Sequence, residues 1–248
     1  MSTQLVLNIR WRDDATFTNF IASANQNLFQ CLTTAKEKTI YLWGQKSCGR
    51  SHLLQACCHQ ANENGLTAMY LPFEHQKDFS PAILEDSENL DLLCLDDIDL
   101  VTGNKEWETA LFHCYNRIQT TNTRLIFSAS ATPQSLPWQL PDLQSRLCAA
   151  VIFQVKELTD NEKLNALQLR AKLRGMILKK PVAEFLLHHY QRDTENLFIA
   201  LEKLDQASLI AKRKLTIPFV KEVLRCHSEQ REESPSKLPH GDPSFHSG

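Results

Sequence analysis

Apolar and polar positions follow two different periods along the first two thirds of the chain. Short apolar runs predict five buried strands, at 39–43, 66–71, 90–95, 123–127 and 151–155. Between these runs the apolar residues have helical spacing, most clearly Trp107, Leu111, Tyr115 and Ile118. Strands that alternate with helices predict an α/β domain whose parallel sheet is covered on both faces.

The last third of the chain has the helical period alone. Helices are predicted at 160–173, 182–190, 194–211 and 218–224, with no strand between them. We therefore expect four parts: an N-terminal peptide (1–10), the α/β domain (11–155), a helical lid domain (156–226) and a tail (227–248). The tail is polar and contains prolines, so it cannot bury enough apolar surface to offset its chain entropy and is expected to be disordered.

Composition limits the classes of function. A net charge of −2 over 248 residues provides no overall field for nucleic acid, so any DNA contact must be local or made through a partner. The eight cysteines lack the paired spacing of a zinc site, which argues against structural metal and for a reducing compartment. The N-terminus does not read as a signal peptide, and no apolar stretch is long enough to span a membrane. We expect a cytoplasmic protein with no membrane partner.

The segment Gly44–Ser51 fits the phosphate-loop pattern G-x-x-x-x-G-K-[ST], with Arg50 in place of lysine. A strand precedes it and a helix follows, so backbone N–H groups and the helix N-terminus can face phosphate oxygens. Ser51 would place its hydroxyl on the Mg²⁺ of bound ADP or ATP. The predicted nucleotide-binding residues are Gly44, Ser47, Cys48, Gly49, Arg50, Ser51, His52 and Asp97. The alternative is an ordinary strand–helix turn that happens to contain two glycines.

A second motif ends the third predicted strand. The apolar run Leu92–Leu95 leads directly into Asp96 and Asp97, at the carboxyl end where parallel sheets bind ligands. Asp96 would hold the hydrated Mg²⁺, and Asp97 would orient an attacking water. A solvated strand end is the alternative interpretation.

Several segments resemble the DnaA-type AAA+ ATPases: GQKSCGRSHLLQA, LLCLDDID, LPDLQSRL and ENLFIALEKLDQAS. Three others, EWETALFHCYNRI, LNALQLRAKLRG and RKLTIPFVKEVL, resemble more narrowly the branch of that family that inactivates the replication initiator. The resemblance covers about residues 4–224. It implies an AAA+ P-loop domain with a five-stranded parallel sheet, followed by an all-α lid.

The resemblance also implies roles for particular residues. Arg146 matches the family's arginine finger, which acts in trans on a neighbouring subunit's nucleotide. Gln4, Leu5 and Leu7 match the peptide that docks on the DNA polymerase sliding clamp, although Asn8 stands where proline is common. Glu195 replaces the lid arginine of the ATPases, and Ser128 to Ser130 replace an acidic sensing residue. Together with Arg50, these departures predict weak or absent intrinsic ATPase activity.

The resemblance thus implies a negative regulator of replication initiation. Bound to ADP, it would dock on the DNA-loaded clamp and stimulate hydrolysis of DnaA-bound ATP, meeting DNA only through the clamp. The pattern also admits a homo-oligomer. Two alternatives stay open: a nucleotide-dependent adaptor or loader that carries another replication protein, and an independent ATPase.

Overall fold

The computed structural model describes residues 15–34, 36–190 and 193–232, with side chains to residue 224. The predicted clamp-binding residues Gln4, Leu5 and Leu7 lie outside these ranges, as does most of the predicted tail. Within the described part of the chain, no helix is long and apolar enough to cross a membrane.

The N-terminal domain is built on a five-stranded sheet in the order β2–β3–β4–β1–β5. All of its paired strands are parallel. The strands are β1 (Thr39–Trp43), β2 (Ala68–Pro72), β3 (Leu92–Asp96), β4 (Arg124–Ala129) and β5 (Val151–Gln154). The predicted α/β fold with a five-stranded parallel sheet is therefore confirmed. Because the strands are parallel, Gly44, Asp97 and Ser130 all follow strands at the same, carboxyl, edge of the sheet.

Helices cover both faces of this sheet. They are α1 (Gln26–Thr34), α2 (Arg50–Glu63), α3 (Lys105–Gln119) and α4 (Pro141–Cys148). One apolar core packs α1 and α2 on the face that includes Ile40 and Ile126. The other core packs α3 and α4 on the face that includes Tyr41 and Phe127. Neighbouring strand residues point to opposite faces, so one sheet supplies both cores.

The lid domain contains α5 (Asp160–Leu173), α6 (Lys180–His189), α7 (Thr194–Ala211) and α8 (Ile217–Glu232). All four helices contribute to one core, which includes Leu167, Leu186, Leu201 and Val220. The predicted all-helical lid is confirmed. The last helix, α8, continues to Glu232, past the predicted boundary of the lid at 226.

Candidate nucleotide-binding site

The loop between β1 and α2 has a backbone that requires its two glycines. A Cβ at Gly44 would lie 2.6 Å from the Val155 carbonyl oxygen and 2.8 Å from Cys48 Sγ, too close for any side chain. Gly49 has φ +102° and is the N-cap of α2, a left-handed conformation that strains other residues. Ser47 also has a left-handed backbone, with φ +65°. The loop thus curls tightly onto the start of a long helix, the arrangement that binds phosphate through backbone N–H groups.

A cleft adjoins the loop. Its walls come from the segment before α1, from the loop and α2, and from lid helices α5 and α7. The lining residues include Phe20, Ile21, Cys48, Gly49, His52, Leu158, Arg170 and Phe198. Most of this wall is apolar, and the phosphate-binding loop forms one end. The cleft therefore has the chemistry for a nucleoside joined to phosphates.

Arg50 does not face the cleft in this structure. Its Nη1 donates to the carbonyl oxygens of Gly44 and Ala129, and its Nη2 donates to Asp97 Oδ1 over 2.7 Å. The side chain is only 9% exposed. The guanidinium therefore connects the carboxyl ends of β1, β4 and β3. A lysine ammonium, a single point charge, cannot reproduce this forked set of hydrogen bonds.

Asp97 is a half-buried carboxylate in a left-handed backbone conformation, with φ +54°. Burial and the neighbouring Asp96 carboxylate raise its pKa to about 6, and the Arg50 guanidinium only partly opposes them. Its backbone N–H donates to Ser128 Oγ over 2.9 Å. A carboxylate with a pKa near the working pH is suited to proton exchange or to sensing charge in the adjoining site.

Asp96 is buried among protein donors. The Tyr70 hydroxyl donates to its Oδ2 over 2.6 Å, and the Ser128 hydroxyl donates to its Oδ1. Both oxygens thus bind the flanking strands β2 and β4, so Asp96 joins three strand ends together. The assignments of Mg²⁺ to Asp96 and to Ser51, which is half-buried on the first turn of α2, stay predictions.

The lid reaches the phosphate loop through its acidic residues. Ser47 Oγ lies 3.3 Å from Glu195 Oε2 and 3.5 Å from Asp193 Oδ1, both at the start of α7. Asp193 caps that helix by accepting from the Asn196 N–H over 2.9 Å. Partial burial raises the pKa of Asp193, but hydrogen bonds from Asn196 and Ser47 outweigh it and lower the pKa overall. The part of the lid nearest the loop is thus negatively charged.

The segment before α1 is tied to the same region. His52 Nε2 lies 2.9 Å from the Thr16 carbonyl oxygen, and its ring centroid lies 5.6 Å from that of Phe20. Phe20 lines the cleft. Asn25 instead pairs with the backbone of Lys156, donating over 2.9 Å and accepting over 2.8 Å. It fastens the entry to α1 to the start of the lid connection.

Arg146 lies far from this cleft. It is an exposed residue in the last turn of α4, whose Leu143 and Leu147 are buried in the core. The chain enters β5 at Val151, which pairs with Ile40 near the beginning of β1. Arg146 therefore lies toward the amino edge of the sheet, whereas the loop follows the carboxyl end of β1, roughly 13 Å away along the strand.

Some cleft residues were missed by sequence reasoning. Leu158, Ala166, Arg170 and Phe198 come from the lid, and their part in the cleft depends on how the lid packs against the sheet domain. The Arg170 guanidinium lies 4.3 Å from the centre of the Phe198 ring, so the two residues support each other. The sequence pattern predicted the helices that carry Ala166, Arg170 and Phe198, but it gave no reason to separate cleft from core.

The fold and the loop define a class of protein. A parallel five-stranded sheet with a curled loop after β1, an acidic pair after β3 and a helical lid is the architecture of a AAA+ P-loop nucleotide-binding unit. The model of the bacterial DnaA ATPase domain matches residues 12–154, and the model of the Hda lid domain matches residues 160–224. The chain belongs to the bacterial DnaA ATPase-domain family, as a DnaA-related protein of the Hda-like kind.

Solved structures show the same fold. Domain III of the replication initiation protein DnaA from Thermotoga maritima has a TM-score of 0.74 at 18% identity, with 88% of this chain and 98% of that chain covered. AMPPCP-bound DnaA from Aquifex aeolicus has a TM-score of 0.67 at 20% identity, with 90% of this chain and 71% of that chain covered. At these identities the likeness concerns the fold alone.

Proposed function

We propose that this chain is a negative regulator of replication initiation. In its ADP-bound form it docks on the DNA-loaded sliding clamp and supplies Arg146 to the nucleotide site of ATP-bound DnaA, which then hydrolyses its ATP. The observation that carries the proposal is the position of Arg146 in a chain of the Hda-like kind. It is an exposed cation at the edge of the sheet opposite the chain's own phosphate loop.

Arg146 lies toward the amino edge of the sheet, whereas the chain's own phosphate loop follows the carboxyl edge. An exposed guanidinium on the outside of a rigid helix can instead enter the site of a neighbouring molecule. There it would stabilise the negative charge that spreads over the phosphoryl group during transfer.

The proposed ligand of the cleft is ADP. DnaA structures bound to AMPPCP support an adenine nucleotide as the ligand class. Backbone groups of Gly44–Ser51 would hold the phosphates, Phe20 and Phe198 would face the nucleoside, and the Ser51 hydroxyl would bind Mg²⁺. Mg²⁺ would supply charge neutralisation. Carboxylates Glu195 and Asp193 beside Ser47 would repel a third phosphate, which favours the diphosphate.

The same residues argue against an independent ATPase. Arg50 is engaged by Asp97 and two carbonyl groups, and the lid presents a carboxylate where an ATPase of the family has a cation. The chain's own site therefore suits retention of a nucleotide better than its hydrolysis. In this proposal the ATP that is hydrolysed is the one bound to DnaA. The residues of this chain bind ADP, orient Arg146 and supply its positive charge.

The direct test is the turnover of ATP bound to purified DnaA, measured with clamp loaded on DNA. Arg146→Ala should lower the stimulated rate by about two orders of magnitude or more, because an arginine finger contributes on that scale. Lys203→Ala, an exposed cation on α7, is the matched control and should stimulate like the wild type. Gln4→Ala with Leu5→Ala should abolish capture on the clamp.

Two results would replace the proposal. An Arg146→Ala protein that stimulates as well as the wild type, with the clamp still bound, would favour an adaptor that carries another replication protein. Steady ATP turnover by the purified chain alone, lost in Asp97→Ala, would favour an independent ATPase.

A further inference from the structure

Glu108 is the most completely enclosed carboxylate among the described residues, with 0% exposure. It lies on α3, one residue after Trp107, on the face that packs against α4. Neither the nucleotide cleft nor Arg146 touches it. A buried carboxylate is costly unless hydrogen bonds compensate for its lost hydration, so its partners indicate what it is for.

All of its described partners are backbone N–H groups of two loops. Glu108 Oε2 accepts from Leu140 N over 2.7 Å, and Oε1 accepts from Gly103 N over 2.7 Å and from Gln139 N over 3.2 Å. Leu140 is the N-cap of α4 and has no side-chain cap of its own. Glu108 therefore satisfies N–H groups at the entry to α4, a position at which negative charge is also favourable.

The contact is reinforced from the other side. Gln139 Nε2 donates to the Gly103 carbonyl oxygen over 2.8 Å, so residues 103 and 139 are joined both directly and through Glu108. Farther along α4, Leu143 and Leu147 are buried against the core. The short helix is thus fixed at its start by Glu108 and along its length by two leucines. Its direction, and with it the direction of Arg146, is set by these contacts.

We propose that Glu108 is a positioning residue for Arg146. It aligns the start of α4 so that the exposed guanidinium is presented in one orientation to a neighbouring nucleotide site. This inference rests on the proposed function of Arg146. An active-site group displaced by about 1 Å can lose on the order of a hundredfold in rate, so a small tilt of α4 is sufficient to be measured.

The test compares five proteins in DnaA-bound ATP turnover with clamp loaded on DNA: the wild type, Glu108→Gln, Arg146→Ala, the double variant and Glu106→Gln. Glutamine keeps the shape of Glu108 but places an amide N–H against at least one backbone donor. Glu106 is the matched control, because it is an exposed glutamate two residues away on the same helix. ADP affinity and melting temperature are measured for each protein.

We expect Glu108→Gln to lower the maximal stimulated rate about tenfold, with the half-maximal concentration and the ADP affinity within about twofold of the wild type. The double variant should be no slower than Arg146→Ala, because both changes act through one guanidinium. Glu106→Gln should behave as the wild type. Should Glu108→Gln fold poorly, Gln139→Ala, which removes only the exposed bond to Gly103, should give a smaller fall of the same kind.

Three results would overturn the inference: unchanged stimulation by Glu108→Gln and Gln139→Ala, losses that multiply with that of Arg146→Ala, or a fall in ADP affinity equal to the fall in stimulation. Failure of the underlying function is recognised separately. In that case Arg146→Ala itself stimulates like the wild type, and the role of Glu108 falls with it.

Discussion

Arg50 Nη2 and Asp97 Oδ1 are joined by a 2.7 Å ion pair at the carboxyl edge of the sheet, between the first residue of α2 and the residue that follows β3. The pair explains why arginine is compatible with this phosphate loop. Its guanidinium contacts one carboxylate and two carbonyl groups at once, so these contacts hold the loop against the neighbouring strand ends.

Breaking this pair should destabilise the fold. Arg50→Met leaves Asp97 without its cation, and we expect a loss of about 2 kcal/mol in the free energy of unfolding, less than for a fully enclosed pair because Asp97 is 31% exposed. Asp97→Asn should lose less, and the double variant should recover part of the loss. Urea unfolding of the four proteins measures the coupling. Strictly additive losses would show that the pair contributes nothing.

Stability should also depend on pH through Asp97. Its pKa of about 6 in the fold is above that of an unfolded aspartate, so the folded protein binds the proton more tightly. The resulting stabilisation is present below about pH 4 and is lost as the pH rises through about 6. The melting temperature of the wild type, relative to that of Asp97→Asn, should therefore fall as the pH rises through this window. A difference independent of pH would contradict the raised pKa.

The loop glycine Gly44 can be tested against a neutral position. Gly44→Ala would bring a methyl group to 2.6 Å from the Val155 carbonyl oxygen, which must distort the loop. We expect at least about a tenfold loss of ADP affinity, measured by calorimetric titration. Gly65→Ala is the control: φ is +73° and nothing lies within 4 Å, so it should cost about 1 kcal/mol of stability and leave ADP binding intact. Equal ADP affinity in both variants would show that the loop takes no part in ADP binding.

The charge of the lid should set the preference between ADP and ATP. Glu195→Arg replaces a carboxylate 3.3 Å from Ser47 with a cation, and we expect ATP affinity to rise by about tenfold relative to ADP. Glu195→Gln should give a smaller change of the same sign. Glu184→Gln, on α6 and paired with Lys180, is the control. Competition titrations of the two nucleotides measure the ratio, and an unchanged ratio in Glu195→Arg would exclude this electrostatic account.

Much of the fold follows from local pattern. The apolar run at 39–43 and the helical period at 194–211 predicted β1 and α7 with their observed bounds. The predicted helix at 218–224 is shorter than α8 (Ile217–Glu232), a segment in which polar and apolar residues are mixed. The tight backbone of the loop also followed from spacing, because Gly44 leaves no room for a Cβ and Gly49 is left-handed.

The contacts made across the sheet could not be predicted in this way. Tyr70 and Ser128 enclose Asp96 because of the register of three strands. Arg50 turns toward Asp97 because of the relative twist of these strands. Glu108 had a usable signal: it precedes Leu111 by three residues and Tyr115 by seven, so it shares their buried face. An acidic residue inside an apolar stripe requires buried hydrogen-bond donors, although the stripe alone does not identify them.

The cleft draws its walls from segments near residues 20, 49 and 198, which belong to the entry of the chain, the sheet domain and the lid. Whatever fills it acts as a cross-link between parts that are distant in sequence. An occupant that binds only the folded chain would stabilise it, so the melting temperature would rise with the concentration of that ligand. Heat resistance would then follow the supply of the proposed nucleotide.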